Sequence, residues 1–447
     1  MTGLPMTIPT TESDQTLLGI RLSDGIRKSH MRAYLAVAFI SSGYAGALAV
    51  LQPGLLQVMG IDKGQQAMLT GTLSALQEVV LILLMGVMGA LSDRIGRRPV
   101  YVAGLLLTGI GFALYPHAVD VTQLVLFRLI VAVGCAAMIG MMITVVADYA
   151  RDESRGKANG LQGLLATLGA FVPPILATLP TVFAQQDHSE LTAQQLTFAI
   201  AGALGGLGGM IALFGLSPAP ASPAQANQLT LAQQLKRGLQ AARDGRTALS
   251  YGAAFISRGD LAVTGAFMSL WLVQYGVGEL GLTPSEAMFQ LAVPRTLAVV
   301  TGALLGSILM GQLADKMDRV SAVALSAGMA ACVYLGVFLI SDPTADWVMG
   351  LLFCMGIAEI SAFVSSQALV GQQAPAADRG AIIGVFGVSG AIGILLGTAG
   401  GGWLFGYVQP SAPFVLFGFL NAMVCFWALL LRQRETTSTA QTHDGVA

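Results

Sequence analysis

Twelve apolar runs, each long enough to cross a bilayer, follow one another along the chain with short polar breaks between them. They cover about residues 32–56, 66–91, 99–118, 121–147, 157–183 and 196–216, then 249–276, 285–313, 320–341, 345–372, 380–406 and 411–432. A run of about 20 apolar residues spans hydrocarbon as an α-helix, because backbone N–H and C=O groups find no water there and must pair within the segment. The period-2 alternation of a membrane barrel is absent. The pattern therefore predicts an all-α membrane protein with 12 transmembrane helices, numbered 1 to 12 below. Six precede a long polar stretch and six follow it. This divides the chain into an N-terminal tail (1–31), a six-helix bundle (32–216), a linker (217–248), a second six-helix bundle (249–432) and a C-terminal tail (433–447).

The linker opens on Pro218, Pro220 and Pro223, then turns rich in Gln, Lys and Arg. Thr230-Leu231-Ala232-Gln233 reads as a capping box, and Leu231, Leu235, Leu239 and Ala242 recur about once per helical turn. That spacing predicts an amphipathic helix lying on the membrane surface or against a bundle, or a solvated helical connector. The first thirty residues are polar and contain no apolar core with a small-residue cleavage site, so helix 1 itself is expected to direct insertion.

Composition agrees with this pattern. Of the 447 residues 54% are hydrophobic and 11% charged, against about a quarter charged in a soluble globule. Placement of the charges sets orientation. Nineteen of the 23 Lys and Arg fall in breaks that lie on one side of the membrane, with Lys63 alone on the other. By the positive-inside rule both termini are cytoplasmic, in a bacterial-type cytoplasmic membrane. Cys135, Cys332, Cys354 and Cys425 sit inside apolar runs without metal-ligand spacing, and His30, His117, His188 and His443 lie at loops or termini. Neither a metal site, a catalytic set nor a buried histidine relay is expected. No GxxxxGK[ST] occurs, so ATP is not the energy source of this chain. The reading is of a non-enzyme without a cofactor, whose partners are a small solute and the lipid bilayer, not nucleic acid.

The two halves repeat one another at long period. Phe39-Ile40-Ser41-Ser42-Gly43 recurs as Phe255-Ile256-Ser257-Arg258-Gly259. Gly89-Ala90-Leu91-Ser92-Asp93-Arg94 is echoed by Gly311-Gln312-Leu313-Ala314-Asp315-Lys316, and Arg155-Gly156 with Gly160 returns as Arg379-Gly380 with Gly384. Three matches in order, at nearly constant offset, indicate two bundles related by a pseudo-two-fold axis along the membrane normal.

Over residues 30 to 432 the chain resembles the major facilitator superfamily of secondary transporters. The family's loop motif between helices 2 and 3 is matched by Gly89, Leu91, Ser92, Asp93, Arg94, Gly96, Arg97 and Arg98, and its weaker copy holds Asp315. The resemblance implies alternating access about a central site lined mainly by helices 1, 4, 7 and 10. It also implies a cytoplasmic latch made by the motif, stabilising the outward-facing state, with Asp93 near the N-terminus of helix 11 in the opposite half. Leu126-Phe127-Arg128-Leu129-Ile130-Val131-Ala132-Val133-Gly134 is similar to the helix 4 signature of proton-coupled drug exporters in the superfamily. Ala132 stands where that signature has glycine, and Gly134 comes two residues later. Gly163, Gly169, Pro173 and Pro174 in helix 5 are a degenerate echo of the exporters' hinge.

Ionisable groups at membrane depth cost several kcal/mol, so each is a functional candidate. Six qualify: Glu78 in helix 2, Arg128 in helix 4, Arg258 and Asp260 in helix 7, Arg295 in helix 8 and Glu359 in helix 10. Arg258 and Asp260 are two residues apart, about 200° around a helix, and cannot face one point; one is expected at the cavity and the other against a neighbouring helix. The Arg258 position is Ser42 in the first repeat, so its charge is an addition to the template. Tyr44, Phe255, Trp271 and Phe363 are the aromatics placed to stack on a solute.

These features predict a monomeric transporter of a small organic solute driven by protons, with efflux by antiport ahead of import of an organic anion by symport. A sensor built on a transporter scaffold is the alternative of another class.

Overall fold

The computed structural model describes residues 16–218, 231–375 and 378–444. Among them twelve helices are long and apolar enough to cross a membrane: Lys28–Val58, Lys63–Ile95, Arg97–His117, Val121–Tyr149, Asp152–Ala184, Glu190–Gly215, Gly245–Gly278, Pro284–Lys316, Arg319–Leu339, Asp346–Gln373, Arg379–Tyr407 and Ala412–Glu435. Several outrun their apolar core because polar residues cap them. Asp120, Ser189, Asp244 and Asp318 each accept a hydrogen bond from the backbone N–H three residues on, at the starts of helices 4, 6, 7 and 9. Thr283 and Glu286 form a reciprocal capping box at helix 8. Each cap satisfies a donor that the first helical turn leaves without a partner.

Between helices 2 and 3 the chain turns on Gly96 alone. Its φ of +96° is in a region closed to side chains, which explains why the motif needs glycine there. Helix 5 is broken into Arg155–Gly169, Val172–Leu176 and Leu179–Ala184, since Pro173 and Pro174 withhold two donors. Helices 7 and 8 each widen into one π-helical turn, at Thr264–Met268 and Met288–Ala292.

Helices 1 to 6 pack among themselves, as do helices 7 to 12, and the broadest contact between the two sets is helix 2 against helix 11. Close approach there depends on missing side chains. A Cβ on Gly71 would lie 2.4 Å from the Thr398 carbonyl oxygen, and one on Gly402 would lie 2.8 Å from that of Ala67. Small residues let membrane helices meet at backbone distance. Hydrogen bonds between the halves gather at the same end, remote from the termini. The Gln274 amide donates to Gln66 Oε1 and to the Lys63 carbonyl, both at 3.0 Å. Ser285 donates through its hydroxyl to Glu190 at 2.5 Å and accepts at its carbonyl from Thr181 at 2.8 Å. The halves are thus closed together at the end opposite the termini.

One segment departs from the sequence expectation, and a second takes one of the alternatives it left open. The N-terminal tail is not simply a polar lead-in: Thr16–Leu17 (β1) and Ile20–Arg21 (β2) form a short antiparallel hairpin, and Leu22 bridges to Ala150 at the end of helix 4. Arg21 also pairs with Glu153 at 2.9 Å and Arg151 with Asp24 at 2.8 Å, so this segment rides on the loop between helices 4 and 5. The linker helix runs over Leu231–Ala241 and lies on helix 11, Tyr251 donating to the Gly238 carbonyl at 2.9 Å and Arg237 pairing with Asp378 at 3.3 Å. Docking against a bundle is the alternative realised. Thr230 of the expected capping box, with Pro220 and Pro223, lies outside the described residues.

Candidate functional site: a charged cavity between the halves

Helices 1, 2, 4, 7, 10 and 11 enclose a cavity of about 450 Å³ whose walls include Tyr44, Glu78, Arg128, Arg258 and Phe363. Three of the six embedded charges meet there. Arg128, 5% exposed, donates through Nη1 to Gln52 Oε1 at 3.2 Å. Gln52 is fixed in turn by the Tyr115 hydroxyl at 2.8 Å and by its own bond to Thr70 at 3.1 Å. Arg128 Nε and Gln77 Oε1 are buried without partners, and both residues face this cavity. Arg258 enters from the other half. Its guanidinium lies over Phe386 and Phe363, 5.5 and 5.8 Å from the ring centroids, and Nη1 donates to the Gly387 carbonyl at 3.3 Å. Gly390 leaves the room, since a Cβ there would sit 2.1 Å from Arg258 Cδ. Glu78, on helix 2, lines the same cavity as Arg258. Among the described residues no ion pair within 4.0 Å neutralises Glu78, Arg128 or Arg258. Unpaired charge at this depth is costly to hold without a partner.

The other three are placed differently. Arg258 and Asp260 part as their angular separation requires: Asp260 is fully buried and accepts from Asn421 Nδ2 on helix 12, at 3.0 and 2.9 Å to its two oxygens. Glu359 accepts from the Tyr334 hydroxyl at 3.0 Å and lines a second cavity of about 270 Å³. Arg295 joins neither cavity. It spends its donors on the carbonyls of Pro343 at 2.8 Å and Leu291 at 3.2 Å, tying the π-helical turn of helix 8 to the loop before helix 10. Asp342 in that loop is held below the usual carboxylate range by the Thr344 hydroxyl and N–H. Of the four aromatics, Tyr44 and Phe363 line the larger cavity, whereas Trp271 packs on Phe414.

Residues that sequence reasoning passed over are Gln52, Gln77, Tyr334, Thr264 and Asn421. Gln52, Tyr334, Thr264 and Asn421 are polar side chains alone in apolar runs and Gln77 stands beside Glu78, so that signal was available.

At the end carrying the termini the loop motif is engaged within its own half. Arg97 bridges Asp93 at 2.5 Å and Asp148 at 2.8 Å. The second half repeats the first of these pairs four residues apart, Arg319 on Asp315 at 3.1 Å. Asp93 was expected at the start of helix 11; here it is half-exposed and bound to Arg97, because the halves are joined at the other end. Gly89 and Gly311 face open space. Arg94 is exposed and Arg98 half-buried.

Comparison with known proteins matches this architecture. The chain is 25% identical over 94% of its length to Magnetosome protein MamH of Paramagnetospirillum magneticum, covering 97% of that protein. It is 27% identical over 88% of its length to Magnetosome protein MamZ of the same organism, of which it spans 61%. To the Tetracycline resistance protein, class E, of Escherichia coli it is 26% identical over 81% of this chain and 85% of that one. Its fold superposes on a mutant of the nucleoside transporter NupG with a TM-score of 0.72 at 14% identity, over 90% and 99% of the two chains. A bacterial homolog to the human lysosomal transporter Spinster, inward-facing and unoccupied, gives 0.67 at 16% identity over 91% and 97%. The profile of the Major Facilitator Superfamily matches residues 33–301 and 250–445, and with twelve spanning helices in two halves and the loop motif in both, the chain belongs to that superfamily of membrane transporters.

Proposed function

We propose that this chain is a proton-driven secondary transporter of a small organic solute, working by alternating access as a monomer in the cytoplasmic membrane with both termini inside. The observation that carries the reading is the cavity between the halves: three charged side chains without ion-pair partners and two orphaned polar atoms converge on a space of about 450 Å³. A solute of that size supplies the missing partners. Export by antiport is the favoured direction, in line with the helix 4 resemblance and the similarity to a tetracycline resistance protein. A second reading, import of an organic anion by symport, draws on the two guanidiniums that face one carboxylate, since Arg pairs with carboxylate and phosphate.

Reconstitution tests both. Proteoliposomes carrying an imposed pH gradient are offered a mixed panel of organic anions, sugars and lipophilic cations. An antiporter accumulates its solute when the lumen is acidic, and a symporter when the outside is acidic. Transport of a panel solute that ignores the gradient in both directions would overturn proton coupling.

The motif loop supplies a separate expectation. If Asp93 moves from Arg97 to helix 11 in the opposite state, Asp93→Asn cuts turnover severalfold and leaves solute binding within about twofold. Initial rates and equilibrium binding on the same preparation check it, and unchanged turnover would remove the latch.

A further inference from the structure

The two cavities are neighbours with a common wall. Gly46, Ala49, Leu261 and Gly265 line both, and helix 1 meets helix 7 there, a Cβ on Gly265 lying 4.0 Å from that of Ala49. Their chemistry differs. The larger holds Arg128, Arg258 and Glu78. The smaller holds one ionisable side chain, Glu359, among the hydroxyls of Ser42, Thr264, Ser269 and Thr296. Its walls come from both halves, with Ala170 and Pro173 at the break of helix 5 on one side and helices 7, 8 and 10 on the other. Rocking of the halves therefore changes this chamber together with the solute cavity.

Many hydroxyl residues in these helices bond to their own backbone, whereas Thr264, like Ser269 with Thr296 in the same chamber, bonds across helices. Ser41, Ser42, Thr108, Thr197, Thr301 and Thr398 each return their hydroxyl to the carbonyl four residues earlier. Thr264 opens the π-helical turn of helix 7 and instead reaches across to the Tyr334 hydroxyl at 2.7 Å. Tyr334 in turn contacts Glu359 at 3.0 Å. A π-helical turn shifts side chains out of α-helical register and recurs at functional sites. The titratable groups facing Glu359 are Tyr334 from helix 9 and Asp260 from helix 7, and the latter is held by Asn421 and lines neither cavity. Among the described residues no Lys or Arg pairs with Glu359.

We propose that the smaller chamber is a cation site distinct from the solute cavity, that its occupant is a proton bound by Glu359, and that Thr264 and Tyr334 are the positioning residues that tune it. The proton passes from water in the chamber to a Glu359 carboxylate oxygen, and no bond to solute is made. The inference rests on the proton-coupled reading above and adds where the proton binds and by what route it differs from the solute.

A carbodiimide test needs no known solute. N,N′-Dicyclohexylcarbodiimide modifies protonated carboxyls in apolar surroundings, and peptide mass spectrometry locates the adduct. On the intact protein in proteoliposomes the adduct is expected at Glu359, falling as pH rises. The Tyr334 hydroxyl donates to the ionised carboxylate, so its loss favours the protonated form. Tyr334→Phe is expected to raise labelling at a fixed neutral pH about three- to tenfold, and Thr264→Val to move it in the same direction by less. Glu78→Gln, across the wall, is expected to leave Glu359 labelling unchanged. Equal labelling in wild type and both hydroxyl variants would overturn the positioning role. Protection by Na⁺ at constant pH would make the occupant a metal cation and overturn the proton. A solute-cavity variant that alters Glu359 labelling as strongly as Tyr334→Phe would overturn the separation. None of these outcomes depends on the gradient experiment, so the two readings fail separately.

Discussion

Glu359→Gln is expected to reduce pH-gradient-driven accumulation by about a hundredfold, the equivalent of ~2.7 kcal/mol, while solute-for-solute exchange without a gradient survives. The amide keeps the shape of the side chain and its bond from Tyr334, but it cannot bind and release a proton. Counterflow and gradient-driven uptake measured on the same proteoliposomes separate these effects. Asp260→Asn is expected to lower gradient-driven uptake as well, because an amide offers one acceptor oxygen where the buried carboxylate gives Asn421 two. Full gradient-driven transport by Glu359→Gln would end the assignment of coupling to Glu359.

The other large effect is expected where helix 2 crosses helix 11. A Cβ at Gly71 would meet the Thr398 carbonyl oxygen at 2.4 Å, and a backbone atom cannot swing aside as a side-chain end can. Gly71→Val therefore opposes closure of the end remote from the termini. Overpacking costs about 1–3 kcal/mol, which biases a two-state equilibrium by roughly 5- to 150-fold. A cysteine at Ser74, which faces the larger cavity, provides the readout in a background lacking the native cysteines. It should react with an impermeant thiol reagent applied from the closed side in Gly71→Val and resist it otherwise. Equal protection in both would show that this crossing does not seal the protein.

Much of the fold was legible because the membrane leaves few options. Apolar runs fixed all twelve helices to within a few residues, and helix periodicity foretold that Arg258 and Asp260 would diverge. The spacing of Asp93 and Arg97 made their pairing available, and the repeat carried it to Asp315 and Arg319. The candidate site was legible only in part. Arg128, Arg258 and Glu78 stood out as charges, but their convergence depends on how two halves meet, which no local pattern encodes. Asn421 lies 161 residues from Asp260, and a neutral amide in a greasy helix draws little notice. The π-helical turn at Thr264 has no proline or glycine pair to announce it; tertiary contacts with Tyr334 and Met355 accompany it. Arg295 misled for the opposite reason. Its charge signals depth, yet backbone carbonyls alone consume its donors.

The hairpin of β1 and β2 and the linker helix also give the molecule a pair of handles. One is fastened to the loop after helix 4 and the other to the start of helix 11, so each travels with a different half. Leu18 at the tip of the hairpin and Leu239 on the linker helix are both well exposed, at 72% and 62%. Probes attached at these two points touch neither cavity. The distance between them works as a protractor for the angle between the halves, readable in a working protein whose transport residues are all intact.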